Sequence, residues 1–128
     1  MRLLLDTHVA LWAIADSPRL SAQARSLILD SGNSIHVSST SVWEITIKYM
    51  LGKGDMPVSG RQAAAWFEAA GYVELPVCKA HVALLETLPS HHVDPFDRLL
   101  VAQALAEPLR LITHDETLRR YSDSIILV

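Results

Sequence analysis

The sequence predicts an α/β fold: a mainly parallel central sheet of about five strands, flanked by helices on both faces as a three-layer α/β/α sandwich. Two observations predict it. Strand-like and helix-like segments alternate along all 128 residues. Most of the strand-like segments are also unbroken apolar runs, as expected of strands covered on both faces rather than one. In such sheets ligands bind beyond the carboxyl ends of the strands, so this architecture also says where to look for a site.

The elements follow in order. Arg2–Leu5 reads as a short buried strand that ends at Asp6. Thr7–Ala15 reads as a helix with Val9, Leu11, Trp12 and Ile14 apolar, broken by Asp16-Ser17-Pro18. Ser21 is a good N-cap for a helix running to about Asp30, with Gly32 as its stop. Ile35–Ser38 is a second strand, and Ser41 is placed to cap a helix through Leu51, stopped by Gly52 and Gly54. Asp55–Pro57 is a turn, Ser59–Ala70 an alanine-rich helix ended by Gly71, and Tyr72–Leu75 a third strand. Lys79–Leu88 is a helix stopped by Pro89. Asp94-Pro95 opens the clearest helix, with Asp as N-cap and Pro at the first helical position, and Pro108 ends it. Leu109–Thr113 is a strand, Glu116–Tyr121 a short helix and Ser124–Val128 a last strand.

Composition narrows the classes. A length of 128 residues suits one domain with one core, so residues 1–128 are expected to form a single unit. Half the residues are hydrophobic and mean hydropathy is +0.23, which suggests a well-filled core with apolar surface left for a partner. A net charge of −3 is not that of a protein gripping nucleic acid by electrostatics alone, although an acidic pocket can coexist with a basic rim. Cys78 is the only cysteine, which excludes an internal disulfide and suits a reducing cytoplasm; it reads as a small core hydrophobe. The N-terminus lacks the apolar stretch of a signal peptide, and no window has the length of a membrane span.

The most informative pattern is acidic. Asp6, Glu44, Asp97 and Asp115 each lie near the start of a predicted helix, so a parallel sheet gathers them at one edge. Carboxylates crowded into a partly buried cleft repel one another unless a cation intervenes, and oxygen-only ligands suit Mg²⁺ or Mn²⁺. Acids at helix starts also have a plain explanation, since they cap free N–H groups and oppose the macrodipole. Ser41-Val42-Trp43-Glu44, Asp94-Pro95-Phe96-Asp97 and Thr113-His114-Asp115-Glu116 all have capping-box spacing, and Glu44 can pair with Lys48 four residues on. Capping does not require the caps to meet in space, however. Asp6 and Asp115 directly follow apolar strands, and Glu44 sits among Val42, Trp43, Ile45 and Ile47, where a charge is usually paired or functional.

Other site types are weaker. His8, His36, His81, His91, His92 and His114 form no zinc spacing; His91-His92 is expected to shape the loop before Asp94, and His8 and His114 to be solvent-exposed. Trp12, Trp43 and Trp66 read as core residues rather than base-stacking platforms. Leu51-Gly52-Lys53-Gly54 is too short for a phosphate loop, and no serine sits in a nucleophile elbow. Hard divalent ions on carboxylates commonly serve phosphoryl chemistry by activating water and stabilising charge on phosphate. Lys48, Arg98, Arg119 and Arg120 are candidates for a phosphate-facing rim, with solvated surface charge as the equal alternative.

These residues also carry a resemblance. Leu4-Leu5-Asp6-Thr7-His8, Ser38 through Ile45, His92 through Ala104 and Leu111-Ile112-Thr113-His114-Asp115 resemble the successive motifs of the PIN-domain family, in particular the VapC-type toxins of type II toxin–antitoxin systems. The resemblance spans nearly the whole chain; its third motif is highly specific, and Trp43-Glu44-Ile45 with Lys48 is similar to this subgroup. It implies a Mg²⁺- or Mn²⁺-dependent endoribonuclease with metal-site roles for Asp6, Glu44, Asp97 and Asp115. It implies that Thr113 positions a water or ligand, while Asp94 belongs to the same motif with a loop or helix-cap role. It further implies an RNA substrate, a homodimer and a small cognate antitoxin. Three rivals remain: a PIN domain that binds without catalysing, a nuclease acting mainly on DNA, and a receiver-type signalling domain. The last needs a phosphoacceptor Asp after its third strand, where this chain has Pro76-Val77.

Overall fold

The computed structural model describes residues 1–53 and 55–128. One five-stranded sheet forms its centre: β1 (Arg2–Leu5), β2 (Ser34–Ser38), β3 (Val73–Leu75), β4 (Arg110–Thr113) and β5 (Ile126–Leu127), in the order β3-β2-β1-β4-β5. Every pairing is parallel, with Leu5 opposite Val37 on one side and Ile112 on the other. The all-apolar β1 therefore takes the middle of the sheet, where its three leucines are completely buried. This order differs from the 2-1-3-4-5 arrangement of receiver-type domains and removes that rival.

The helices are α1 (Thr7–Ile14), α2 (Ala22–Leu29), α3 (Ser39–Leu51), α4 (Gly60–Ala69), α5 (Lys79–Leu85) and α6 (Pro95–Ala106), with a 3₁₀ turn at Leu118–Tyr121. The two sheet faces have separate apolar clusters. Leu3, Leu5, Val37, Ile45 and Phe67 belong to one; Leu4, Leu100, Val101, Leu111 and Leu118 belong to the other. Adjacent β1 side chains alternate between them, as the two-residue period of a strand requires. Burying a leucine or isoleucine of this kind contributes roughly 1.5–3 kcal/mol, so the sheet that carries the site is held by apolar packing on both faces.

Local chemistry sets several boundaries. Ser21, Ser59 and Asp94 cap α2, α4 and α6 through their side-chain oxygens. The cap of α3 is Ser38, not Ser41: Ser38 Oγ accepts from Thr40 N at 2.9 Å, and Ser41 lies inside the first turn, accepting from Thr7 Oγ1 at 2.9 Å. Glu44 consequently sits in the second turn and belongs to no capping box. Gly52, at φ 63°, ends α3 in the left-handed conformation glycine accepts at least cost; Gly54, the other expected stop, lies outside the described residues. Gly60 is required for packing, because a Cβ there would fall 1.7 Å from Thr46 Oγ1. Helix α5 ends at Leu85 rather than Leu88, where Thr87 turns both its backbone N and its Oγ1 onto the Leu84 carbonyl. The last helical stretch begins at Leu118 rather than Glu116, since Asp115 Oδ1 takes the Thr117 N–H in a local turn.

Two burial expectations are overturned. Cys78 is exposed, at the start of α5. Trp43 and Trp66 are 54% and 40% exposed, while Trp12 packs against the core. Among the described residues, no helix is long and apolar enough to cross a membrane.

Candidate active site

Asp6, the residue after β1, caps α1: its Oδ1 accepts from Val9 N at 2.8 Å, while its own backbone N donates to Ile112 O at 3.0 Å. Its second oxygen accepts from Thr113 Oγ1 at 2.5 Å, and Thr113 Oγ1 in turn accepts from Asp115 N at 3.1 Å. A single buried hydroxyl thus ties the end of β1 to the end of β4. Asp115 lies where β4 leaves the sheet, its Oδ1 held by Thr117 N at 2.9 Å.

Asp97 is at the third position of α6, oriented by Asp94, whose Oδ1 accepts from both Phe96 N at 2.9 Å and Asp97 N at 3.0 Å. Glu44 comes from α3 and is buried, with Oε2 2.5 Å from Lys48 Nζ and Oε1 without a partner among the described residues. The acids differ in what else they do. Asp6, Asp94 and Asp115 bond to nearby backbone N–H groups, so the capping explanation accounts for part of their placement. Among the described residues Glu44 reaches only Lys48, and the hydrogen bond at Asp97 is made by its backbone.

The electrostatics are those of negative charges held together. Burial, followed by the charges of Asp94, Glu44 and Asp6, pushes the Asp97 carboxyl up to about 7, against a smaller opposing pull from His92. Burial also raises Asp6, despite its bonds from Thr113 and Val9. Asp115 goes the other way: burial would raise it, but the His92 hydrogen bond and the Thr117 N–H outweigh that and hold it low. Lys48 loses hydration on burial, yet its bond to Glu44 and the nearby Asp94 and Asp97 charges raise its pKa.

His92 is the residue that sequence reasoning underrated. Its Nδ1 accepts from Asp94 N at 3.0 Å, which is the expected loop-shaping role and leaves the proton on Nε2. That nitrogen lies 2.8 Å from Asp115 Oδ2 and 3.6 Å from Asp97 Oδ2, so His92 also joins two of the acids. One ligand atom each from His92, Asp97 and Asp115 all lie within 4.8 Å of one another. No spacing in the sequence signals this, because the loop alone brings the ring back. His114 is partly exposed as expected, with Nδ1 3.9 Å from Asp6 Oδ2.

The candidate rim is less basic than expected. Arg98 donates to the Leu88 carbonyl at 3.1 Å, which turns it onto the α5 side, and Lys48 is engaged by Glu44; Arg119 and Arg120 are exposed. The pocket fits a hard divalent cation on chemical grounds. It offers several carboxylate oxygens, a buried unpaired Glu44 Oε1 and an Asp97 whose ionisation is opposed by its like-charged neighbours.

A parallel sheet whose central strand ends in a buried aspartate, with further acids from two helices and a neighbouring strand, defines a class, and the sequence comparison agrees with it. A sequence model of the PIN domain matches residues 3–124, and the chain belongs to the PIN domain family. It is 31% identical over 124 residues to Ribonuclease VapC22 of Mycobacterium tuberculosis, covering 92% of this chain and 90% of that one. Similar solved folds include VapBC2 from Rickettsia felis bound to a promoter DNA fragment, with TM-score 0.69, 17% identity and coverage of 100% and 98% of the two chains. FitAcB from Neisseria gonorrhoeae is another, with TM-score 0.63, 20% identity and coverage of 98% and 96%.

Proposed function

We propose that this chain is a metal-dependent endoribonuclease, the toxin of a type II toxin–antitoxin pair, hydrolysing RNA phosphodiester bonds with Mg²⁺ or Mn²⁺. The observation that carries the reading is Asp97: burial and three neighbouring acids push its carboxyl up to about 7, a cost that a divalent cation removes. Relationship to a protein named as a ribonuclease supports the substrate class.

In this reading Asp6, Glu44, Asp97 and Asp115 hold the ion. Thr113 keeps the Asp6 carboxylate turned inward, Asp94 fixes the first turn of α6 so that Asp97 faces the others, and Lys48 restrains Glu44 and offers positive charge to a phosphate. A bound Mg²⁺ or Mn²⁺ would make a coordinated water a competent nucleophile near neutral pH and offset charge on the phosphate and leaving oxygen.

The partners follow the same reading: RNA as substrate, a small antitoxin protein and a second copy of the chain as a homodimer. The VapBC and FitAcB folds support the antitoxin, and the exposed Leu29, Met50, Leu51 and Trp66 offer apolar surface for protein contacts. Residues 1–128 act as one domain in this account, in the cytoplasm. The test is cleavage of RNA by the purified protein with Mn²⁺, set against Asp6→Asn and Asp97→Asn. Both variants should fold and lose on the order of 10³-fold in rate, a loss equivalent to about 4 kcal/mol of transition-state stabilisation. Retained cleavage in both rejects the assigned site, and no cleavage by the unaltered protein favours a PIN domain that only binds.

A further inference from the structure

The four acids differ in how many carboxylate oxygens they leave free. Both oxygens of Asp6 accept hydrogen bonds, from Val9 N at 2.8 Å and Thr113 Oγ1 at 2.5 Å. Both oxygens of Asp115 are engaged as well, by Thr117 N at 2.9 Å and His92 Nε2 at 2.8 Å. Among the described residues no hydrogen bond reaches the Asp97 carboxylate, where His92 Nε2 stands 3.6 Å from Oδ2. Glu44 is divided: Lys48 Nζ holds Oε2 at 2.5 Å, and Oε1 is buried with no partner among the described residues.

The Lys48 contact is not an ordinary helix-surface pair. Such pairs face water, whereas the Glu44 side chain is 3% exposed and that of Lys48 29%. The Asp94 and Asp97 charges also act on the ammonium and favour keeping it charged. Its position on Oε2 matters because denticity separates the hard cations. Ca²⁺ gathers roughly six to eight oxygens and readily takes two from one carboxylate, while Mg²⁺-like ions demand octahedral geometry and keep several waters. A carboxylate chelates an ion only when both oxygens turn to it, and a donor already on one of them opposes that. Asp6 and Asp115 are restrained on both oxygens by local backbone N–H groups and buried side chains. Asp97 is free of such restraint. Glu44 is therefore the acid at which a single side-chain contact decides between one ligand oxygen and two.

We propose that Lys48 is a specificity-determining residue: by holding Oε2 it leaves Glu44 one oxygen for a divalent cation, which favours small six-coordinate ions over Ca²⁺. This rests on the metal-dependent reading above. The test is the ratio of Mn²⁺ to Ca²⁺ affinity in the full chain. Both ions carry the same charge, so the ratio largely cancels the electrostatic effect of removing an ammonium and reports geometry. Calorimetry gives the Mn²⁺ affinity, and displacement of bound Mn²⁺ by Ca²⁺, followed by electron paramagnetic resonance, gives the other. The unaltered protein should strongly prefer Mn²⁺. Lys48→Met, which frees Oε2, should narrow the ratio by on the order of tenfold. Lys48→Gln is equally neutral but still offers Oε2 a donor, and should keep the ratio within about threefold of the unaltered protein. An infrared difference spectrum of the unaltered protein with isotope-labelled glutamate, with and without Mn²⁺, reads the same feature without a substitution. Wide splitting of the glutamate carboxylate stretches is expected, as for binding through one oxygen. An unchanged ratio in Lys48→Met, equal narrowing in both variants, or narrow splitting overturns the role of Lys48 while leaving the metal site intact. No Mn²⁺ binding by the unaltered protein is instead a failure of the metal-dependent reading, and removes the role of Lys48 with it.

Discussion

Helix α6 carries two polar clusters, a partly buried one centred on Asp97 and a buried one on Gln103, roughly 9 Å apart along its axis at 1.5 Å per residue. Around Gln103 the hydrogen-bond valences close. Its Oε1 accepts from Ser38 Oγ at 2.5 Å and Thr40 Oγ1 at 3.2 Å, and its Nε2 donates to Pro76 O at 3.3 Å. Nearby, His81 accepts from Cys78 N at 3.1 Å on one nitrogen and meets Glu107 Oε2 at 2.5 Å on the other. Around Asp97 they do not close: acids face acids, and Glu44 Oε1 is left over. A closed network fastens α6 to β2 and to the segment after β3. An open one leaves carboxylate charge and Glu44 Oε1 without a partner among the described residues.

The comparison breaks first at Gln103. Gln103→Leu strands the Ser38 and Thr40 hydroxyls and the Pro76 carbonyl and should cost about 2–4 kcal/mol of stability, read by urea unfolding. Manganese affinity should stay within about threefold; a large loss would mean the two clusters act as one.

A pH series on the ion-free protein sharpens the other side. Asp97 titrates near 7 when folded against an ordinary value of 3.8, so the folded chain holds a proton that the unfolded chain releases. Stability should therefore fall as pH rises from about 4 to about 7 and then level off. Asp97→Asn should reduce that slope, leaving the part that comes from Asp6, which burial also raises, and Mn²⁺ at 100 times its Kd should add about 2.7 kcal/mol above pH 7. A slope of opposite sign would show that Asp97 is not opposed by its neighbours.

His92→Ala should have the smallest effect. Loss of the ring that joins Asp97 to Asp115 should weaken Mn²⁺ binding by about 10- to 100-fold in calorimetry, with little change in unfolding.

Much of this was legible in order along the chain. The apolar run ending at Asp6 and the Asp94-Pro95 cap mark two corners of the acidic cluster through local chemistry alone. Parallel topology then predicts that Glu44 and Asp115 join them, since β2 and β4 flank β1. What the sequence hid depends on contacts between distant residues. In the run Ser38-Ser39-Thr40-Ser41 any hydroxyl can cap, and only Gln103 and Thr7 decide which does. Trp43 reads as core by residue type, but the second turn of α3 turns it outward beside Phe96. His92 reads as a loop residue because its acidic partner is 23 positions away.

The central place of β1 has a dynamic consequence. With parallel partners on both edges, its backbone is freed only when the whole sheet separates, whereas the two-residue β5 can fray alone. The carboxylate at the tip of β1 is thus anchored to a segment whose amide hydrogens should exchange among the slowest, so that local breathing at the sheet's edges should leave Asp6 in place.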